Sequence, residues 1–577
     1  MTVHVVAEDP IRDAVVAALE EVDLAVQESK PSAIGDARFA IVSGAAGGNR
    51  FRVANEAALE GNTPWIAVEV GGIGGSPLST VDAAISGFAP QTGCYRCLSA
   101  RVAATVDEPA DEARADRSAA RLAGAIAGRE CVRVFAGEER TILGGVIELP
   151  YVRRQFLPVP GCVCDEPRDR TLGRDDDALD LEAAVERADL AIDDRVGLIE
   201  QLGEVESFPA PYYLATTAET TGFSDASAPT QSAGVDVDWN AALMKAVGEA
   251  LERYCAGVYR EDDFVHASYD ELERAVSPAD LVRPADAPAF DPTVEYRWVE
   301  GENLETGETT HLPAAAVQFP QPGERLLPAI TTGLGLGSST VDALLSGLFE
   351  VLERDATMLS WYSTFEPLGL AVDDEEFATL TKRARSEGLS VTPLLVTQDV
   401  DVPVVAVAVH RDLDDSEGEW PAFALGSAAD FDATAAARSA LAEAIQNWME
   451  LRSLGPDGAD DAGGAIGEYA DFPENVRPYV DVDQRIDAAA VGPDPVPTGQ
   501  DTLEELVSRF ADVGLTPYAA RLTTRDVESL GFEAVRTVVP GAQPLFTRDP
   551  FFGERAETVP EELGFEPRLE RAFHPYP

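Results

Sequence analysis

Two well-separated segments carry the same acidic pentad on a helical pattern, Glu249-Ala-Leu-Glu252-Arg253 and Glu350-Val-Leu-Glu353-Arg354. A spacing of three puts both carboxylates of a pair on one helix face, about 5–6 Å apart at Cβ. Like charges that close cost stability unless a cation lies between them. Hard carboxylate oxygens suit Mg2+, which takes one or two protein carboxylates together with phosphate oxygens and water. Two such pairs can clamp Mg2+ against a nucleoside triphosphate, with Arg253 and Arg354 countering the remaining charge. The plain alternative is an ion-paired surface helix, and Asp270-Glu-Leu-Glu-Arg274 reads that way. The two principal copies differ from it in their apolar flanks, Val247, Leu251 and Tyr254 in one and Leu348, Val351 and Leu352 in the other. Their acids are therefore expected against a buried surface.

Few of the acids in this chain stand in such company. Its 577 residues hold 102 Asp+Glu against 44 Lys+Arg, a formal net charge of −58. A chain this acidic repels phosphate backbones and anionic lipid surfaces, so nucleic-acid binding and membrane association are both disfavoured. Lys30, Lys245 and Lys382 are its only lysines, and Asp and Ala abound. The charge is spread along the whole chain, as in proteins adapted to molar intracellular salt. With 45% hydrophobic residues the chain has ample core material. Met1–Pro10 lacks the basic patch and apolar run of a signal peptide. No apolar run long enough to span a bilayer appears, and 6 cysteines in such a length do not make a disulfide framework. The expected location is the cytoplasm.

The first part of the chain alternates strand and helix signals. Val3–Val6, Arg38–Ser43 and Trp65–Val70 read as strands, while Ile11, Val15, Val16 and Leu19 recur at helical spacing. This predicts an α/β domain over residues 1–165. Its first strand runs into Glu8-Asp9-Pro10 instead of a glycine-rich turn, so a nucleotide site there is unsupported. Gly71–Gly75 reads as a loop. Residues 166–208, dense in Asp, Glu and Arg, read as a connector to a second α/β domain over residues 209–577. That domain contains three long helical patterns, Ala241–Tyr259, Val341–Tyr362 and Ala433–Leu451, with strands at Leu394–Thr397 and Val404–Val409. Residues 455–500, acidic and rich in Gly and Pro, read as a mobile excursion.

Before the second helix stands Thr332-Gly-Leu-Gly-Leu-Gly-Ser-Ser-Thr340, whose backbone N–H groups can face phosphate although the run lacks a P-loop lysine. The third helix carries Glu443 and Gln446, again spaced by three. Lys245, four residues before Glu249, is placed to pair with it. Cys94 and Cys97 form a CxxC, and Cys162 and Cys164 supply a second close pair. Two pairs of thiolates suit a closed structural Zn2+ site; a redox CxxC or unrelated buried thiols are the alternatives. Cys131 and Cys255 sit in apolar settings.

Ser232–Tyr254, Thr331–Ala356, Ala437–Gln446 and Thr516–Phe546 together resemble, in order, the signature segments of YcaO-domain proteins of the azoline-forming cyclodehydratase type. The resemblance covers the chain from about Pro209 onward. It implies an ATP site in which Glu249, Glu252, Asp342, Glu350 and Glu353 ligate Mg2+, while Lys245, Arg253, Ser338, Arg354, Glu443 and Gln446 line the nucleotide. Ser338 stands where the family commonly has Asn, Asp342 where Glu is usual and Lys245 where Ser is frequent. Members often end in a Pro-rich tail that organises the active site, and Pro575 and Pro577 form a partial match to it. Upstream, Pro64–Gly72 and Gly87–Arg101 resemble the E1-like (ThiF-like) partner domain often fused to these proteins. That likeness implies zinc held by Cys94, Cys97, Cys162 and Cys164, lost adenylation, and binding of a leader peptide by strand addition.

What the resemblance implies is ATP- and Mg2+-dependent activation of backbone amides in a ribosomal precursor peptide, with Cys, Ser or Thr closing to an azoline. Thioamide formation with an external sulfur donor is the alternative reaction, and a peptide-docking scaffold with a degenerate ATP site the alternative class. The sequence leaves the oligomeric state open, a homodimer included.

Overall fold

The computed structural model describes residues 2–577 apart from 107, 115, 139, 140, 151, 165, 166, 324, 412–419, 463 and 464. The protein is a mixed α/β structure, as the strand and helix periodicities predict. Its N-terminal part is built on a 7-stranded sheet. Thr2–Val6, Ala25–Glu28, Ala40–Ala45 and Trp65–Val70 run parallel, and Ala83–Phe88, Gly145–Leu149 and Val152–Gln155 continue it antiparallel. The period-two alternation of these strands sends Val3, Val5, Ile41, Ile66 and Val68 to one face, under Ile11–Glu20 and Arg117–Ala136. It sends Ala40, Val42, Trp65 and Ala67 to the other, under Asn49–Gly61 and Tyr95–Thr105. Gly71–Gly75 forms the tip of a short hairpin, Gly72–Ile73 against Ser76–Pro77. There Gly74 and Gly75 donate their N–H groups to the buried Glu69 carboxylate at 2.7 and 2.8 Å.

Residues 166–208 include a helix, Leu181–Ala188, and a strand, Ile199–Glu206, which pairs with Tyr212–Thr217 and through it with Gln231–Val235. Beyond lie a 6-stranded and a 5-stranded sheet. The three long helices occur at Trp239–Gly257, Thr340–Trp361 and Ala433–Leu454. Each follows its own strand, Gln231–Val235, Leu334–Gly337 and Phe423–Ala429, and each begins at a side-chain cap, Asp238, Ser339 and Asp432.

The described residues of 455–500 dock on the fold, where their composition suggests a mobile excursion. Ile466, Tyr469, Phe472, Val476 and Tyr479 are buried, and Arg485–Asp487 pairs with Leu368–Ala371. These apolar and aromatic anchors override the acidic, glycine-rich average of the segment.

Candidate active site

The three strand–helix units share one local device. Glu249 accepts a hydrogen bond from the Ala233 N–H at 2.8 Å, Glu350 from Gly333 at 3.0 Å and Glu443 from Ser427 at 2.7 Å. Glu249 and Glu443 thus reach from their helices back to the preceding strand, and Glu350 to the residue that leads into its strand. Glycine in the strand makes this possible. A Cβ on Gly335 would lie 2.2 Å from the Ala343 carbonyl oxygen, so only glycine lets the second helix settle so closely on its strand. Within the Gly-rich run at 332–340 the strand is Leu334–Gly337, and its glycine at 335 serves this helix packing. The helix N-terminus it leads to is capped by Ser339, with the Asp342 carboxylate in its first turn.

The signature carboxylates converge. Glu249, Glu252, Arg253, Glu350, Glu353 and Arg354 line one cleft of about 930 Å3 including its open mouth, and their apolar neighbours Val247, Leu251, Tyr254, Leu348, Val351 and Leu352 are buried as expected. Arg354 lies 3.3 Å from Glu353 and 3.9 Å from both Glu350 and Glu443. Arg253 pairs with Glu249 at 2.5 Å. Burial pushes the Glu252 carboxyl up to about 8, and the charges of Glu350 and Glu249 add to the effect. Burial likewise pushes Glu353 up to about 8, against the pull of Arg354. Raised carboxyl groups on facing helices are the electrostatic mark of a site short of positive charge.

Three participants have no signal in the pentads. Arg536, from strand Glu533–Val538, donates to the carbonyls of Thr331 and Ile330 at 2.9 and 3.0 Å, and Glu350 and Glu252 both bear on its charge. Ser427 donates to Glu353 at 2.6 Å. Ser346 lines the cleft one turn before Glu350.

Other expected site residues stand outside the cleft walls. Lys245 does not pair with Glu249; it pairs with Asp236 at 2.7 Å, because the end of the preceding strand brings that carboxylate closer than the helical neighbour. Ser338 accepts from the Leu179 N–H and donates to Asp342 at 3.3 Å, beside Asp175 and Asp176. Gln446 is half-buried one turn beyond Glu443. Pro575 is buried and Pro577 half-buried around Tyr576, whose hydroxyl meets that of Tyr479 at 2.5 Å. Tyr576 is near enough to Arg354 for the two to influence each other electrostatically. His574 packs among Phe546, Phe573 and Tyr576, and burial lowers it to about 4.

In the N-terminal part Cys94, Cys97, Cys162 and Cys164 form a cluster with all Sγ atoms within 4.8 Å of one another. The closest separations are 3.4 Å for Cys97–Cys164, 3.7 Å for Cys94–Cys162 and 3.9 Å for Cys94–Cys97. A tetrahedral ion with Zn–S arms of about 2.3 Å has sulfur–sulfur edges of about 3.8 Å, so the donor set fits zinc in number, type and spread. Asn55 donates to the Cys94 sulfur and Arg525 to the Cys164 carbonyl. Cys131 and Cys255 stand apart, and burial pushes each up to about 12.

The family model described as YcaO cyclodehydratase, ATP- and Mg2+-binding, matches residues 233–543, more than half of the chain. The chain belongs to the YcaO family. An uncharacterized protein of Methanothermobacter thermautotrophicus is 30% identical over 219 residues, which are 36% of this chain and 54% of that protein. An uncharacterized protein in the tfuA 3′ region of Rhizobium leguminosarum bv. trifolii is 27% identical over 268 residues, 44% of this chain and 61% of its own length. The chain thus spans less than two thirds of the length of either curated relative. Among solved structures, a heterocyclase in complex with substrate and cofactor superposes with a TM-score of 0.75 at 20% identity, covering 100% of this chain and 85% of that one. The heterocyclase TruD gives 0.66 at 19% identity, covering 98% and 81%. At such identities the likeness is one of fold, and it takes in the N-terminal part as well. Among the described residues no helix is long and apolar enough to cross a membrane.

Proposed function

We propose that this protein is an ATP- and Mg2+-dependent enzyme that activates backbone amides of a ribosomal precursor peptide, closing Cys, Ser or Thr residues to azolines. The observation that carries this reading is the convergence of Glu249, Glu252, Glu350 and Glu353 on one cleft with Arg253 and Arg354. Glu443 joins them through Arg354. The carboxylates outnumber the guanidinium groups, and the surplus suits a divalent cation bound with a polyphosphate. When bound, Mg2+ supplies charge neutralisation at the transferring phosphoryl group. Arg354, held among three carboxylates, faces the same charge.

An amide oxygen is a poor leaving group, and the chemistry follows from that. The peptide's thiol or hydroxyl adds to the preceding carbonyl carbon. The resulting oxygen takes the γ-phosphoryl group of ATP, releasing ADP. Expulsion of phosphate with loss of the nitrogen proton leaves the C=N bond of the ring, for a net loss of water from the peptide. The protein's part is positioning and electrostatics.

The Cys94–Cys97–Cys162–Cys164 cluster, on this reading, holds a structural zinc ion that pins the segment after Val152–Gln155 to the head of helix Tyr95–Thr105. The N-terminal domain receives the leader peptide, and the acidic surface keeps the chain soluble in a salt-rich cytoplasm. Mass spectrometry of peptide incubated with ATP tests the reaction. Loss of water per modified residue supports azoline formation, exchange of oxygen for sulfur indicates thioamide formation, and ATP-independent peptide binding alone indicates a scaffold.

A further inference from the structure

Behind the first signature helix lies a buried polar junction that the proposed chemistry leaves unused. Tyr254 follows Glu252 and Arg253 directly, but it stands about 140–200° of helical rotation from Glu249 and Glu252, so it faces away from the cleft. Its hydroxyl donates to Asp526 at 2.6 Å and accepts from Arg101 at 3.3 Å. Arg101 and Asp526 are in direct ion-pair contact. Arg101 also donates to the Pro158 carbonyl at 2.8 Å, and its guanidinium covers the rings of Phe223 and Tyr254. Exposure is 1% for Arg101, 1% for Tyr254 and 0% for Asp526.

Three parts of the molecule meet here. Arg101 comes from the N-terminal domain, one turn after Cys97 on helix Tyr95–Thr105. Tyr254 comes from the helix that carries Glu249 and Glu252. Asp526 comes from the short helix Arg525–Leu530, whose Arg525 also holds the Cys164 carbonyl. A helix moves as a rod, so an anchor on its back sets where both front carboxylates lie. Displacements of about 1 Å in such groups are enough to cost large factors in binding or rate.

We propose that Arg101 is a positioning residue for the Mg2+–nucleotide site: through Tyr254 and Asp526 it lets the N-terminal domain fix the setting of Glu249 and Glu252. The proposal rests on the nucleotide reading of the cleft given above. It assigns the N-terminal domain a second task besides peptide capture, that of completing the geometry of the neighbouring site.

The test is calorimetric titration of the full-length protein with Mg2+ and a non-hydrolysable ATP analogue in molar KCl. Tyr254→Phe keeps the ring and removes the link. Arg101→Met combined with Asp526→Leu replaces the ion pair by apolar groups, an exchange that often leaves stability intact. Both variants are expected to stay folded with full zinc content, melting somewhat below wild type because a buried group loses a hydrogen-bond partner, while the Mg2+ midpoint rises roughly tenfold, as for lost support behind metal ligands. Folded variants with an unchanged midpoint overturn the role of Arg101 and leave the nucleotide reading standing. Should the double variant fail to fold, Tyr254→Phe alone decides in the same way. A wild-type protein that binds no Mg2+–analogue overturns the nucleotide reading itself, and this proposal with it.

Discussion

Ser427 donates its hydroxyl to Glu353 at 2.6 Å while its backbone N–H donates to Glu443 at 2.7 Å. One residue of the strand before the third signature helix therefore orients a carboxylate from each of two helices. Ser427→Ala removes the side-chain bond and leaves the buried Glu353 to its ion pair with Arg354, against the charges of Glu443 and Glu350. The expected result is a destabilisation of about 1–2 kcal/mol and a drop of about tenfold in Mg2+-dependent ATP turnover, read by chemical denaturation and steady-state kinetics. A variant with wild-type turnover would show that Glu353 needs no such orientation.

The cysteine cluster predicts one zinc ion per chain. Cys94→Ser is expected to lose it and to melt at lower temperature, because the segment around Cys162 and Cys164 then loses its anchor to helix Tyr95–Thr105. Metal analysis by mass spectrometry with a melting curve decides. Zinc-free wild-type protein, or full zinc in the variant, would refute the assignment.

Close strand–helix contact at Gly335 gives a prediction about folding. Gly335→Ala puts a methyl group 2.2 Å from the Ala343 carbonyl oxygen and is expected to cost about 3 kcal/mol or to prevent folding. Gly203→Ala, where a Cβ meets nothing within 4 Å, is expected to stay within about 1 kcal/mol of wild type. Equal stability of the two variants would contradict the packing argument.

His574 supplies a pH dependence with a defined sign. Burial holds it at about 4 in the folded chain, whereas the unfolded chain takes up the proton near the usual value of about 6.5. The unfolded state therefore binds more protons across that window. The His574 contribution is fully present above about pH 6.5 and is lost as the pH falls towards 4, on the order of 3 kcal/mol in all. His574→Phe should flatten this part of the stability–pH curve. An unchanged curve would mean that the tail opens before the histidine charges.

The sequence made some of this legible and hid the rest for physical reasons. The signature helices are readable because apolar residues recur at helical spacing and the Glu-x-x-Glu-Arg pattern stands out against them. The glutamate-to-strand bonds are not, since Gly333 and Glu350, or Ser427 and Glu443, meet only after the chain has turned back on itself. Arg536 arrives from a strand far along the chain. Helical spacing suggests Glu249 as the partner of Lys245, but the fold brings Asp236 nearer. Within residues 455–500, composition averages away the few aromatic residues that dock the segment. Strand Ile199–Glu206, with four of its residues acidic or amide, reads as polar linker because it contributes little to the core.

The central claim is that carboxylates from two helices hold Mg2+ for phosphoryl transfer from ATP. Its most direct test is peptide-stimulated ATP turnover, with and without Mg2+ in molar KCl, for wild type and Glu350→Gln. The account predicts Mg2+-dependent turnover in the wild type and a loss of about a hundredfold or more in the variant, whose circular dichroism and zinc content stay unchanged. Full turnover in folded Glu350→Gln would contradict it.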